Sequence, residues 1–598
     1  MTVNERIEAL RQLMAENCLD VYYVPNEDDH LSEEYTADYF KAKSYMSGFS
    51  GESGCVIVTK DFAGLWTDGR YFTQAENELA GSQVELMRLR QEGIPNPLDF
   101  LVDQTPVHGK LGFDGSVVSA RTKNFLQKKL EQKQASIVND VDLVGQIWNE
   151  RPKMPEESLF VLDTKYTGVG AKDKIIQARK SMLEAGADVL FLAALEDPCW
   201  LLNIRGNDIE NTPVTYAFVL MTENEVNYYV NEKKVNVEVR AHLENSGVTI
   251  KDYDEIETDL LKLQNKVVLA NLDTLNSKLY TALQGNTILD QESPIAYRRA
   301  IKNEVEIECT KNAHVKDGVA VFKFIHWLKN EVKKNEVTEV SAQNKLYDLR
   351  GEGQDYIEPS FTTISAYQAN GAMMHYSATE ENHAKLEPKG FLLVDSGGTY
   401  KDGTTDITRT IAVGPLTKEE KKYYTLVLKG HLDLMAAHFL KGTTGNNVDI
   451  LARQPLWKED IDYQCGTGHG VGHVLAVHEG PHRIGWGFSS LRPPVPFEAG
   501  MIVTDEPGVY LPHELGIRIE NELLVVNGNK NFYGQFMHFE TLTYVPYEVE
   551  AIEVSLLTDE ELIQLNAYHA QVRAILSPYL KGEELAYLEE VTKELVRS

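Results

Sequence analysis

Asp173-Lys174-Ile175-Ile176-Gln177-Ala178-Arg179-Lys180-Ser181-Met182-Leu183-Glu184-Ala185-Gly186-Ala187-Asp188-Val189-Leu190-Phe191-Leu192-Ala193-Ala194 reads as an amphipathic helix running into a buried strand. The chain opens on the same pattern. Ile175, Arg179, Met182, Glu184, Asp188 and Val189 match Ile7, Arg11, Met14, Glu16, Asp20 and Val21. The resemblance continues loosely: Phe218 to Thr222 and Tyr228 to Val230 stand where Gly54 to Thr59 and Leu65 to Thr67 stand in the first copy. Self-similarity on this scale predicts two related α/β domains in tandem.

Composition narrows the function classes. With 59 Lys+Arg against 90 Asp+Glu among 598 residues, the formal net charge is −31, which excludes a nucleic-acid binder working by bulk charge. Hydrophobic residues at 42% and charged residues at 25% are globular values, so large cores can form. No apolar run approaches the ~18 residues of a membrane span, and the start Met1 to Arg6 lacks a basic-then-apolar leader. Cys18, Cys55, Cys199, Cys309 and Cys465 are scattered, odd in number and without a close pair, which speaks against a disulfide framework or a structural zinc site. A soluble protein of the reducing cytoplasm, with no nucleic-acid and no membrane partner, is the expectation.

Downstream of the repeat, Ile301 to about Glu331 has the spacing of a long amphipathic helix, and after it the chain turns to strands and Gly-rich turns. Phe391-Leu392-Leu393-Val394 runs into Asp395-Ser396-Gly397-Gly398, turns at Asp402-Gly403 and returns through Thr404 to Ile411, a hairpin. From Thr558 to Val596 the pattern is helical again.

Four polar constellations interrupt apolar strands of this region, where a solvated surface does not explain them. Asp395 and Asp406 lie on opposite arms of the hairpin. Gly466-Thr467-Gly468-His469-Gly470-Val471-Gly472-His473 is followed by Val477-His478-Glu479-Gly480-Pro481. Met501-Ile502-Val503-Thr504-Asp505-Glu506 is an apolar strand ending in acids, and in Gly516 to Val526 Arg518 and Glu520 share a strand face. Four carboxylates and one imidazole form a hard, oxygen-rich donor set suited to a pair of divalent ions. Two such ions ~3.5–4 Å apart can hold a hydroxide at neutral pH.

Asp395, Asp406, His469, Glu506 and Glu520, in that order and spacing, resemble the metal ligands of the pita-bread metallopeptidases, and among them the aminopeptidase P group. Thr67 to Phe72, Met374-His375-Tyr376, Gly466 to Gly472, His478 to Pro481 and Leu576 to Leu580 resemble its long, three-domain cytosolic form, so the likeness covers nearly the whole chain. It implies two creatinase-like α/β domains at 1–157 and 158–300, then a pita-bread α+β catalytic domain at 301–598 with a helical extension from about 545. It also implies two divalent ions, manganese, with Asp406 and Glu520 bridging, Asp395 chelating one and His469 with Glu506 holding the other. His375 and His478 would hydrogen-bond the scissile carbonyl, and Glu506 would relay a proton from a metal-bridged hydroxide. Tyr510 and Arg518 would line the pocket, and Arg70 would reach the far end of the substrate. The implied activity is removal of an N-terminal residue before proline from short peptides, by a cytoplasmic homodimer.

Physical chemistry agrees that such a bond needs a dedicated site: the amide before proline has no N–H, and its ring excludes the extended pairing general proteases use. Cys465 departs from the family, which has a histidine four residues before the metal-binding one. A thiol is the poorer donor, so an altered rate or pH profile and sensitivity to oxidation are expected. His473 is read as supporting or structural. Two alternatives stay open: a prolidase restricted to Xaa-Pro dipeptides, and a non-catalytic pita-bread binding protein.

Overall fold

In the computed structural model, residues 1–32, 35–487 and 493–597 are described, and every count below is of those residues. The chain forms two compact units, one of residues 1–161 and 169–295, the other of 162–168 and 296–598.

The first unit contains the two α/β halves. Helix α1 (Val3–Glu16) starts on a capping box in which Thr2 and Glu5 satisfy each other's backbone N–H, and it buries Ile7, Leu10 and Met14. It leads into β1 (Val21–Val24), followed by β2 (Cys55–Thr59), β3 (Ala63–Thr67), β4 (Glu85–Arg88), β5 (Lys110–Phe113) and β6 (Ser136–Val138). These six strands lie in the order β4-β3-β2-β1-β5-β6. The second half repeats the plan: α2 (Ala171–Glu184) precedes β7 (Val189–Leu192), then come β8 (Ala217–Thr222), β9 (Val226–Val230), β10 (Thr249–Lys251), β11 (Val267–Ala270) and β12 (Thr287–Asp290). Their order is β10-β9-β8-β7-β11-β12. Strand senses also agree, since β1 and β7 each pair antiparallel with the next strand and parallel with β5 or β11. The repeat read in Asp173 to Ala194 is thus a repeat of topology.

A buried polar joint connects the halves. Tyr216 donates to Asp28 at 2.9 Å and Tyr253 to Asp29 at 2.5 Å. His30 stacks on Phe218 with centroids 4.0 Å apart and reaches the Ala193 carbonyl through Nδ1.

The second unit begins with α3 (Glu304–Glu331), which starts three residues after the expected Ile301 because Asn303 and Glu306 form its capping box. Ile301 instead bridges to Met501. Further elements are β13 (Ile364–Tyr367), β14 (Phe391–Ser396), β15 (Ile407–Ala412), α4 (Lys418–Met435), β16 (His438–Leu440), α5 (Gly445–Trp457), β17 (Gly468–Gly470) and β18 (Glu479–Ile484). They are followed by β19 (Ile502–Asp505), β20 (Leu515–Arg518), β21 (Asn521–Asn531), β22 (Gly534–Thr541), α6 (Asp559–Leu576) and α7 (Gly582–Val591). The expected hairpin is present: β14 pairs antiparallel with β15 on one side and β13 on the other. A six-stranded sheet runs β16-β22-β21-β19-β17-β18. The core beneath α4 and α6 gathers Tyr424, Val427, Leu432, Ile517, Leu565 and Val572, all buried. Among the described residues, no helix is long and apolar enough to cross a membrane.

Candidate metal centre

The polar breaks read in the sequence fall at strand ends of the second unit. Asp395 pairs across β14 and β15 with Thr408. Asp406 precedes β15, and its backbone N–H donates to Glu522 Oε1 at 2.7 Å. Glu520 joins β20 to β21; its N–H donates to the Thr408 carbonyl at 3.1 Å, and its Oε2 accepts from the Thr408 hydroxyl at 2.7 Å. Glu506 follows β19, fixed by its N–H on the Thr467 carbonyl at 2.8 Å and by Thr504 Oγ1 at 3.2 Å.

His469 sits between two glycines that the packing demands. A Cβ at Gly468 would come within 1.9 Å of the Thr504 carbonyl oxygen, and one at Gly470 within 2.1 Å of that of Glu479. The ring's Nδ1 donates to the Gly470 carbonyl at 3.0 Å and so turns Nε2 toward the acids, where it donates while the ring is charged and offers its lone pair to a cation once the ring is neutral. Nε2 is 3.3 Å from Asp406 Oδ2 and 3.5 Å from Glu506 Oε1. Asp406, His469 and Glu520 each offer one donor atom within 4.8 Å of the others. Asp395 faces a cation instead: Arg518 Nη2 donates to its Oδ2 at 2.5 Å, Arg518 Nη1 to the Tyr510 hydroxyl at 2.7 Å and Arg518 Nε to Thr408 Oγ1 at 3.2 Å.

Charge is the distinctive feature. Burial pushes the carboxyls of Asp395 and Glu506 up, against the opposing pull of Arg518 on the first and His469 on the second. Burial, then the neighbouring charges of Asp406, Glu506 and Asp395, hold Glu520 well above the carboxylate range. His469 is raised to about 9: burial pulls it down, and Asp406 and Glu506 more than compensate. Asp395 Oδ1 and Asp406 Oδ1 are buried without a hydrogen-bond partner among the described residues. Acids crowded this closely, with acceptor oxygens left over, fit divalent cations.

The remaining expected residues are placed as follows. His478 is exposed and stands edge-on to His469, with centroids 4.3 Å apart. The next residue, Glu479, is buried and clamped by Lys302 and by Arg299 Nε at 3.4 Å. His375 is half-buried in a turn after the 3₁₀ segment Gln368–Ala372. That segment docks on β20, where a Cβ on Gly516 would fall 1.7 Å from the Gly371 carbonyl oxygen. Arg70 lies in the first unit, where Nε and Nη2 each donate to Asp68 at 2.9 Å. His473 bridges Thr310 of α3, at 3.2 Å, and the Tyr166 carbonyl, at 2.9 Å, a structural position. Cys465 has Sγ 4.0 Å from the Tyr510 hydroxyl, and burial, helped by Glu506, pushes its thiol up to about 11. That lowers its thiolate content and argues against the expected oxidation sensitivity.

Sequence reasoning passed over Thr408, Glu522 and His314. Glu522 shares a strand face with Glu520, and that alternation was its only signal. His314 Nε2 is 3.1 Å from Glu522 Oε2, but it lies on α3, where it read as one position of an amphipathic helix.

Residues 308–527 match the model of metallopeptidase family M24, and 535–595 that of the C-terminal region of this peptidase family. Residues 6–145 and 150–306 each match a creatinase/prolidase N-terminal domain. Aminopeptidase P2 of Arabidopsis thaliana is 37% identical, covering 97% of this chain and 87% of the relative. The chain belongs to the aminopeptidase P family of M24 metallopeptidases. Within the family, Xaa-Pro aminopeptidase 1 of Dictyostelium discoideum is 37% identical over 97% of this chain and 94% of its own length. A crystal structure of the X-prolyl aminopeptidase of Caenorhabditis elegans, described as a cytosolic enzyme with a di-nuclear active site, superposes with a TM-score of 0.94 at 33% identity, covering all of both chains. An Xaa-Pro dipeptidase of Bacillus anthracis, at 26% identity and a TM-score of 0.50, covers 63% of this chain.

Proposed function

We infer that this protein is a metal-dependent aminopeptidase that hydrolyses the bond between an N-terminal residue and a penultimate proline. One observation carries the reading: a full-length likeness, at 33% identity, to an X-prolyl aminopeptidase described as di-nuclear. The acid and imidazole cluster of the second unit supports it.

Asp395, Asp406, His469, Glu506 and Glu520 are the residues that would hold two divalent ions, proposed to be manganese. When bound, such ions supply Lewis-acid polarisation of the scissile carbonyl and a water of lowered pKa. The chain's own residues do the rest. His375 and His478 donate hydrogen bonds to the carbonyl oxygen as negative charge develops on it. Glu506 accepts a proton from the attacking water and delivers it to the proline nitrogen, which cannot leave as an anion. Arg518 orients Asp395 and, with Tyr510, walls the pocket. Arg70 is proposed, from the family resemblance, to meet the distal part of longer peptides. Arg70→Ala should raise KM for peptides of four or more residues and leave that for tripeptides unchanged; equal KM changes at all lengths would remove Arg70 from the site.

The chain is further proposed to be a cytoplasmic homodimer whose domains divide near residues 157 and 300. Light scattering of the purified protein tests the dimer, a monomer mass refuting it, and limited proteolysis tests the boundaries, cleavage elsewhere refuting them. Localisation of a tagged chain to any membrane compartment would refute the cytoplasmic assignment.

The central experiment strips the metal, restores manganese, and compares Arg-Pro-Pro with Arg-Ala-Pro and the dipeptide Ala-Pro. Manganese-dependent release of arginine from Arg-Pro-Pro alone supports the reading. Cleavage of the dipeptide alone replaces it with a prolidase, and metal binding without any cleavage replaces it with a binding protein.

A further inference from the structure

Behind the acid cluster, five buried polar side chains form a line that the chemistry above does not use. Arg409 Nη2 donates to Asn521 Oδ1 at 2.8 Å, and Asn521 Nδ2 donates to the Tyr547 hydroxyl at 3.0 Å. That hydroxyl is 2.8 Å from His431 Nε2, and His431 Nδ1 is hydrogen-bonded to the Asp505 carbonyl at 3.2 Å, with Asp505 Oδ2 alongside at 3.1 Å. None of the five is more than 2% exposed.

Donor and acceptor inventory gives the line one direction. A guanidinium only donates, so the Asn521 oxygen accepts and its nitrogen donates onward. At the other end His431 Nδ1 faces only oxygens, so Nδ1–H donates to the Asp505 carbonyl; Nε2 of the neutral ring then accepts the phenol proton, and Asn521 fills a lone pair of Tyr547. Every link therefore donates the same way, from the Arg409 cation at one end to the Asp505 backbone beside its carboxylate at the other, an arrangement in which each bond polarises the next.

The line touches the backbone beside two proposed ligands. Asp505 precedes Glu506, Asn521 follows Glu520, and the two are register partners on β19 and β21. Arg409 Nη1 also donates to the Glu520 carbonyl at 2.6 Å. The central hydroxyl comes from the C-terminal region: Tyr547 stacks on Tyr568 of α6 with centroids 4.6 Å apart, and the Tyr568 hydroxyl accepts from Arg409 at 3.0 Å.

We propose that the Arg409–Asn521–Tyr547–His431–Asp505 line is a positioning device that holds Glu506 and Glu520 at the separation two divalent ions require. Tyr547 and His431 are positioning residues, and through Tyr547 the C-terminal region sets the metal affinity of the site. The inference rests on the metallopeptidase reading.

The test titrates manganese into the metal-stripped, full-length protein by calorimetry, with Arg-Pro-Pro hydrolysis alongside. Tyr547→Phe and His431→Gln are each expected to weaken manganese binding ~10-fold, the scale of lost support behind a ligand. Activity lost at limiting manganese should return at saturating manganese, which a general structural defect would not allow. One cut interrupts the whole line, so the double variant should lose no more than the weaker-binding single one. Manganese affinities within about twofold of wild type in the single variants, or losses that add in the double variant, overturn the proposal. If Tyr547→Phe does not fold, His431→Gln carries the same comparison. A wild-type protein that binds no manganese and leaves Arg-Pro-Pro intact overturns the metallopeptidase reading itself, and this inference with it.

Discussion

Glu506, the proposed proton relay, has its carboxylate and backbone anchored independently, by Thr504 and by Thr467. Glu506→Ala should therefore leave the fold intact and lower kcat by at least ~10³, the scale on which a group at the reacting atoms is missed; near-normal turnover would end the assigned role. Cys465 lies on the opposite side of the question. With its thiol raised to about 11 by burial, iodoacetamide at pH 8 should modify the exposed Cys18 and spare Cys465 in the native protein. Peptide mass spectrometry reads both sites, and fast labelling of Cys465 would contradict the environment described here. At this scale the acids and His469 were legible because each interrupts an apolar strand. Thr408 was not: a threonine in a strand is ordinary, and only the fold reveals that its hydroxyl donates to Glu520 and accepts from Arg518.

Among the elements, the first repeat and the β14–β15 hairpin were readable from periodicity and turn chemistry, since both are local patterns. The start of α3 shifted from Ile301 to Glu304 because a cap outranks the apolar period that precedes it. Non-local approaches left no such trace. Gly371 and Gly516 are far apart in sequence, yet β20 and the segment ahead of His375 meet with no room for a side chain. Gly516→Ala should displace that segment, lowering kcat/KM on Arg-Pro-Pro ~10²-fold, as expected when a positioning error reaches the site. Unfolding temperature and metal content report whether the change stays local, and wild-type kinetics in this variant would refute the coupling.

For the molecule as a whole, the joint between the two α/β halves predicts a pH response. Asp29 is raised to about 8 by burial and by the charge of Asp28, and Asp28 itself is raised by burial. His30 is lowered to about 3 by burial, with a smaller push from the charge of Lys234. An acid with a raised folded pKa binds more protons in the folded state, so its contribution falls as pH climbs from ~4 to 8. The histidine works in reverse, gaining stability from about 3 to ~6.5, and so offsets the acids over the lower range. Between ~6.5 and 8 the histidine no longer offsets Asp29, and the first unit should lose thermal stability there. Asp29→Asn keeps an acceptor for Tyr253 and should flatten that decline; equal slopes in the two proteins would show that the joint is not its source.

The second unit takes residues 162–168 from the stretch that otherwise builds the first. Within that short piece the Tyr166 carbonyl receives His473, and the Thr167 carbonyl receives Asn303 at the start of α3. During synthesis on a ribosome, this piece emerges well before either of its partners. It must stay available while the second α/β half, 169–295, is made and folded. No single cut therefore yields two self-sufficient gene fragments. A clone beginning at residue 296 is missing a part that was translated more than a hundred codons earlier.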